Sequence, residues 1–277
     1  MISLEKSVIS YKSRVPRYPP GKRENPVNFA CAALILCVIL LLLPNLGSAS
    51  ATGRFWSYFN VTSLISPKWA IVTMPGFRYE FARSDDPNML PAKGVYFYEF
   101  FIGPVFTKTS GAFTFKLPVW YYYMGFPSEG TYFYSHNIEI LPILSYRLGR
   151  TTLTSRTIFH NTVYASVYQT PEMRSGYSLV IRQLLQIAHE IDERTTVILA
   201  DEPFFGTIED GQAPPNPIGF WPSGFRLNRV YAGLQYRITP TIIISAQYVF
   251  ETAHDEGAVT DVNQYLFITL SYVLKLF

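Results

Sequence analysis

Thr241-Ile242-Ile243-Ile244-Ser245-Ala246-Gln247-Tyr248-Val249-Phe250-Glu251 is the stretch that decides the fold. Ile242, Ile244, Ala246, Tyr248 and Phe250 fall on one side of an extended chain, while Thr241, Ser245, Gln247 and Glu251 dominate the other. Successive side chains of a strand point to opposite sides, so a period of two marks a strand with two different faces. The neighbouring segments read the same way. In 229–237, Val230, Ala232, Leu234 and Tyr236 oppose Arg229, Gln235 and Arg237. In 264–277, Leu266, Ile268, Leu270, Tyr272, Leu274 and Leu276 oppose Thr269, Ser271 and Lys275. Upstream, 135–148 sets Ile138, Ile140, Leu144, Tyr146 and Leu148 against Ser135, Asn137, Glu139, Ser145 and Arg147, and 94–107 sets Tyr96, Tyr98, Phe100, Ile102 and Phe106 against Glu99 and Thr107.

Followed along the chain, the pattern yields eleven segments: 53–65, 68–82, 94–108, 112–124, 132–148, 151–167, 177–190, 195–206, 226–237, 241–252 and 264–277. Many exceed the roughly 5–6 residues of a soluble strand and reach the 9–11 or more of a tilted strand crossing a bilayer. Short connections at Pro67, Ser110-Gly111, Gly149-Arg150, Asp192-Glu193-Arg194 and Pro240 alternate with longer ones at 83–93, 125–131, 168–176, 207–225 and 253–263. Outer-membrane barrels are built in this way, with short turns at one rim and long loops at the other. Single-chain bacterial barrels have even strand numbers. Either 53–65, the weakest in alternation, is not a full strand, giving ten, or a strand is hidden in a loop, giving twelve. Twelve is preferred.

Composition agrees. The 277 residues are 48% hydrophobic, 16% aromatic and only 16% charged, against about 25% charged in an average globular chain. A disordered tail, a basic nucleic-acid binder and a coiled coil are all disfavoured. Both cysteines, Cys31 and Cys37, lie in one apolar run near the N-terminus. The remainder therefore has neither a disulfide nor a cysteine metal site.

That run belongs to a leader. Lys6, Lys12, Arg14, Arg17, Lys22 and Arg23 precede fifteen uncharged residues, Phe29 to Leu43, which are followed by Pro44 and Gly47-Ser48-Ala49-Ser50-Ala51. A positive segment, a short apolar core and an Ala-x-Ala site describe a secretory signal peptide, with 1–51 removed and the 52–277 barrel domain exported. At this length a membrane anchor is the weaker reading. Removing six of the 23 basic and two of the 20 acidic residues leaves 17 and 18, so the 226-residue remainder is near −1. No basic surface for nucleic acid remains.

If the apolar faces meet lipid, the opposite faces receive Arg78, Glu80, Glu99, Lys116, Glu139, Arg156, Arg182, Glu202, Arg229 and Glu251. A secreted soluble sandwich would alternate in the opposite sense, apolar inward and polar outward. The low charge, the aromatic strand ends (Tyr121, Tyr122, Tyr123; Tyr132, Tyr134) and a final strand closing on Phe277 favour the membrane barrel. The fold expected is all-β, an antiparallel up-and-down transmembrane β-barrel of about 10–12 strands behind a cleaved signal peptide. A C-terminal aromatic resembles the assembly signal of Gram-negative outer-membrane proteins, so the barrel assembly machinery, through the strand ending Phe277, and outer-membrane lipid are the partners expected. Phe277 is out of phase with Leu274 and Leu276, which implies a bulge or a frayed end.

Leu199-Ala200-Asp201-Glu202-Pro203-Phe204-Phe205 and, after a loop, Phe225-Arg226-Leu227-Asn228-Arg229-Val230-Tyr231-Ala232-Gly233-Leu234-Gln235-Tyr236 form a recurring pattern. It resembles the E-x-F-F … N-R-x-x-x-G-x-x-Y signature of a bacterial outer-membrane barrel family catalogued only as a domain of unknown function, the twenty-four-ninety family. On that resemblance Glu202, Phe205, Asn228, Arg229, Gly233 and Tyr236 are the signature positions. Trp56, Trp69, Arg78 and the ending Leu270-Ser271-Tyr272 fit its layout. The resemblance implies an outer-membrane barrel with no established activity.

Chemistry is sparse. A rim enzyme acting on lipid needs a serine polarised by an oriented histidine, and His160-Asn161 with Ser155 and Ser166 nearby is the best approximation among His136, His160, His189 and His254. His160 shares parity with Arg156 and Thr162 and so points inward, away from an acyl chain. No two histidines sit at i, i+2 on one strand face, so no metal site is read, and no cofactor. The expected function is a non-enzymatic outer-membrane barrel, structural or a small passive channel; the alternative is a rim lipid hydrolase. The inward charges are the candidate site: Arg182, Glu202, Arg229, Arg156 and Glu139. Reflecting Arg182 through the turn at Asp192-Glu193 brings it near Glu202, with Arg229 approaching the same carboxylate from the next strand.

Overall fold

The computed structural model describes residues 50–83, 94–128, 131–166, 173–210 and 220–277. The leader, apart from Ser50 and Ala51, and residues 211–219 of the 207–225 connection lie outside the described residues. The strands are β1 (Ser50–Leu64), β2 (Trp69–Arg83), β3 (Gly94–Ser110), β4 (Phe113–Ser128), β5 (Thr131–Ile140), β6 (Ile143–Leu148), β7 (Thr151–Ser166), β8 (Met173–Glu190), β9 (Thr195–Ile208), β10 (Gly224–Arg237), β11 (Ile242–Asp255) and β12 (Ala258–Lys275). No helix long and apolar enough to cross a membrane occurs among the described residues.

Neighbours in the chain pair antiparallel, and the sheet closes on itself through β1 and β12. β5 and β6 are one stave broken at Leu141-Pro142, since both pair with β4 on one side and β7 on the other. Proline has no N–H to give to a ladder, so a strand running through it is interrupted. The buried Leu141 keeps the stave attached by bonding Pro118 O at 3.0 Å. The twelve strands therefore make eleven staves. The eleven segments visible in the sequence were the staves themselves, and the parity rule that suggested a twelfth does not govern this barrel. Segment 53–65 is a full strand.

Eleven is odd, and the consequence is geometric. β1 and β12 run the same way, from Ser50↔Asp261 to Leu64↔Lys275, so the closing seam is parallel rather than antiparallel. The described chain therefore starts at one rim and ends at the other. The C-terminal rim carries the short turns at 65–68, 111–112, 149–150, 191–194 and 238–241. At 191–194, Asp192 Oδ1 accepts the N–H groups of Arg194 and Thr195 at 2.7 and 2.8 Å. Slight burial pushes its carboxyl up, but these donors hold it below the ordinary aspartate range. β12 ends at Lys275, and Leu276 N–H still bonds Leu64 O at 3.0 Å, so only Phe277 lies past the seam.

Two connections are shorter than the sequence suggests. β4 and β5 extend to Ser128 and Thr131, closing up 125–131. The 253–263 connection is a two-residue hairpin at Glu256-Gly257, with φ of 48° and 85°. Positive φ at both central positions is the primed turn that matches strand twist.

The outer wall is apolar: Phe59, Phe81, Leu148, Leu185, Leu199 and Leu266 are each about half exposed or more. The inner wall holds Trp56, Tyr58, Phe101, Tyr122, Tyr231 and Tyr265, all buried. Tyr96 departs from the alternation read for 94–107. A register shift at Arg78/Tyr79 turns both Tyr96 and Phe97 inward.

At the loop rim, residues 220–223 fold onto the inner wall. Phe220 is buried, and Trp221 N–H donates to Ser178 Oγ at 3.0 Å. Gly206 permits this approach, because a Cβ there would stand 1.9 Å from Pro222 O. Gly206→Ala should therefore lift 220–223. Overpacking of this kind costs about 1–3 kcal/mol, so the thermal midpoint followed by far-UV circular dichroism should fall and quencher access to Trp221 should rise. An unchanged midpoint and unchanged quenching would mean the segment is not seated on β9.

Candidate functional site

The lumen contains five arginines and five glutamates among the described residues: Arg54, Arg78, Arg156, Arg182 and Arg229 with Glu80, Glu99, Glu139, Glu202 and Glu251. A buried charge is tolerable only when paired and hydrogen-bonded, and every one of these carboxylates meets a guanidinium.

The charges form two clusters. In the first, Arg78 grips Glu99 with two bonds, Nε at 3.2 Å and Nη2 at 2.9 Å. Glu99 also accepts from Trp56 Nε1 at 2.8 Å and Tyr122 OH at 2.6 Å. The Arg78 guanidinium lies over the Trp56 and Phe97 rings, 4.1 and 4.7 Å from their centroids. Arg54 Nε bonds Glu80 Oε2 at 2.9 Å, and its Nη1 donates to Tyr265 OH at 3.0 Å. Tyr265 OH in turn donates to Glu251 Oε1 at 2.9 Å. Beside it, Arg229 Nε holds Glu251 Oε2 at 2.5 Å, and Asn263 Nδ2 reaches Oε1 at 2.9 Å.

The second cluster spans β5 to β10. Arg156 Nη2 and Arg182 Nη2 converge on Glu202 Oε1, each at 3.0 Å, and Tyr231 OH donates to Oε2 at 2.6 Å. Arg182 Nη1 also reaches Glu139 Oε1 at 3.5 Å, which His160 Nδ1 contacts at 2.8 Å. Phe204 lies beneath Arg182 and Arg229, at 4.4 and 4.7 Å. Between the clusters is a cavity of about 460 Å³, lined by guanidinium groups, carboxylates and aromatic rings.

The structure brings Arg182, Glu202, Arg156 and Glu139 together, and it changes one partner. Arg229 does not bridge to Glu202. Although the two are opposite in the β9–β10 register, Arg229 turns toward Glu251 on β11, and Arg156 reaches Glu202 from β7 across the intervening stave. Of the signature positions, Glu202 and Arg229 face inward. Asn228 faces outward and donates to Asp201 Oδ1 at 3.0 Å. Phe205 and Tyr236 lie exposed on the outer wall. Gly233 lets β11 approach, a Cβ there falling 2.3 Å from Ala246 O. Lys116, read as inward, lies exposed toward the short-turn rim.

Ser155 and His160 stand on opposite faces of β7. The Ser155 hydroxyl accepts from Gln183 Nε2 at 3.0 Å on the outer wall, whereas His160 is buried in the lumen. The side chain of Ser166 lies outside the described residues. Among the described residues no three metal-ligating side chains gather.

The family model described as protein of unknown function (DUF2490) matches residues 53–263. The chain belongs to this family. None of the curated proteins matches it. The match spans this DUF2490 chain from β1 into β12 and so takes in all ten charged side chains of the two clusters.

Removing one partner of a buried ion pair costs about 3–5 kcal/mol, because the other charge is left unpaired. Glu202→Gln in this DUF2490 protein should therefore lower the thermal midpoint sharply, leaving Arg156 and Arg182 facing each other. Arg147→Ala, which removes the exposed Arg147–Glu190 pair, is the control and should cost about 0–1 kcal/mol. Equal midpoint shifts for the two variants would show that the Glu202 cluster is hydrated and structurally idle.

Proposed function

We infer that this DUF2490 protein is a non-enzymatic outer-membrane β-barrel, a structural component or small passive channel, with its lumen plugged in the resting form. One observation carries the reading: the polarity of the barrel is inverted. The outer wall is apolar along staves of about 14–18 residues, long enough to cross a bilayer when tilted, while the arginines and glutamates are inside. A closed barrel leaves no unpaired strand edge, the condition for backbone in hydrocarbon. A lumen of this strand number has limited width, and Trp56, Phe101, Tyr122 and Phe204 fill it between the ion pairs. Export with cleavage near Ala51 delivers the barrel, and the strand leading to Phe277 engages the assembly machinery. The opposed placement of Ser155 and His160 supports the non-enzymatic reading over a lipid hydrolase.

In the outer membrane the short turns face the periplasm, which places 191–194 and Phe277 inside and the 209–223 connection outside. With an odd stave number, the N-terminal end of β1 then lies at the exterior rim.

The protein should fractionate with the outer membrane and migrate as a faster, folded band when unboiled. In a planar bilayer its conductance should be very low. The remainder after the leader has no cysteine, so single cysteines at Glu209 and Glu193 report sidedness: on whole cells an impermeant thiol reagent should reach the first and not the second. Gly211, in the same connection, is outside the described residues. Recovery in the soluble periplasm, retention of 1–51 in the mature mass, or a large steady conductance would overturn the reading.

A further inference from the structure

Although arginines and glutamates in the lumen are equal in number, they do not share its surface equally. Arg156 and Arg182 keep 28% and 15% of their side-chain area accessible, while the Glu202 they share keeps 0%. Arg54 keeps 12% against 0% for Glu80, and Arg78 11% against 1% for Glu99. Arg229 keeps 7% against 4% for Glu251. At every pair the carboxylate is set back against the wall and the guanidinium is turned to the cavity. Glu99, Glu139, Glu251 and Asp261 also reach the cavity, so the excess of accessible guanidinium is local, and it is greatest at Arg156 and Arg182. A wall that presents guanidinium groups there suits a ligand that brings acceptors.

The rest of the wall limits the body of that ligand. Trp221, carried in on 220–223, lies over Phe204 at 6.2 Å, and its ring is 6.3 Å from that of His160. The Arg182 guanidinium covers the same Phe204 ring. Acceptors and apolar surface are thus wanted within one cavity of about 460 Å³, in the range of small-molecule sites.

We propose that the lumen binds a small organic anion, a carboxylate on an aromatic or short apolar body, with its charged end at Arg156 and Arg182 and its body against Phe204 and Trp221. Planar guanidinium groups suit a carboxylate because they offer paired N–H donors. The ligand site rests on the reading of a plugged lumen but not on residence in a membrane, and the two fail separately: the unboiled gel band tests the folded barrel, and binding tests the site.

The experiment is isothermal titration of the purified full barrel in detergent with three probes: benzoate, benzylammonium and inorganic phosphate. Benzoate should bind saturably, benzylammonium should give no heat beyond dilution, and phosphate, which lacks the apolar body, should bind at least about tenfold more weakly than benzoate. Trp221→Ala removes the ring that packs on the body of the ligand. It should weaken benzoate about three- to tenfold, the worth of one aromatic contact, with the unboiled band intact. Equal binding of benzoate and benzylammonium, or no binding of benzoate, overturns the proposal on the wild-type protein alone, whether or not the variant folds. Phosphate binding as tightly as benzoate overturns the organic body. Unchanged benzoate affinity in a folded Trp221→Ala overturns the placement of the ligand.

Discussion

A carboxylate turned into a closed barrel loses the bulk water that would have solvated it, and that loss is the constraint on which the rest of this structure depends. Moving an ion out of water costs several kcal/mol even after relaxation, so each inward glutamate needs a cation within reach on a neighbouring stave. The staves supply it in turn: β1 to β2, β2 to β3, β7 and β8 to β9, β10 to β11. The hydroxyls of Tyr122, Tyr231 and Tyr265 take up acceptor positions that the guanidinium groups leave. Ion pairing therefore fixes register as well as charge, since a slip of one residue would turn a glutamate to the outer wall and its arginine away from it. The aromatic rings are placed by the same need. Arg78 lies between two of them, and Arg182 and Arg229 cover a third, so positive charge is held by ring faces as well as by carboxylates.

The parallel seam is compatible with that constraint. An even antiparallel barrel would join its first and last staves in opposite directions; here β1 lies along β12 over fifteen residue pairs. Parallel pairs are slightly weaker per residue than antiparallel ones, and side-chain links reinforce this seam. Thr52 Oγ1 bonds Asn263 Oδ1, and Arg54 bonds Tyr265 across it, while the Trp56 ring stacks on Phe267 at 4.3 Å. β1 is thus tied to both of its neighbours, by Arg54 to Glu80 on one side and to Tyr265 on the other.

Most of the architecture was legible in the sequence because a period of two is a direct image of which face a residue occupies. The existence and order of the staves, the inward charges Arg78, Glu80, Glu99, Glu139, Arg156, Arg182, Glu202, Arg229 and Glu251, and the inward turn of His160 all follow from it. What it could not show is a bulge, which changes parity without changing hydropathy. The shift at Gly53/Arg54 and the inward aromatics Trp56 and Tyr58 blur the contrast in β1, so Arg54 escaped notice. The shift at Arg78/Tyr79 turned Tyr96 from an expected outer residue into a lumen residue. Partner choice was illegible for a different reason. Backbone register placed Arg229 opposite Glu202, but long side chains reach beyond the adjacent stave, and Arg156 takes that carboxylate from two staves away. The parity of the stave count misled because it is a habit of known single-chain barrels rather than a requirement of sheet closure.

The same bonds say where the lumen can and cannot yield. Every polar link among the ten charged side chains and their tyrosine and asparagine partners joins staves that are adjacent or once removed. They stiffen the wall and do not tie it across the middle. Widening the barrel by parting staves would break backbone ladders and ion pairs together, leaving carboxylates unpaired at several kcal/mol each. What occupies the passage is different in kind: the Phe101–Tyr122 stack at 3.9 Å, the Phe204 ring, and Trp221 on a segment held by Ser178 and by the contact with Gly206. Ring rotations and the lifting of 220–223 leave the ladders intact and strand no charge. Any opening of this lumen therefore lies with its aromatic filling and the 220–223 segment, with the ion-paired wall as the rigid frame against which they move.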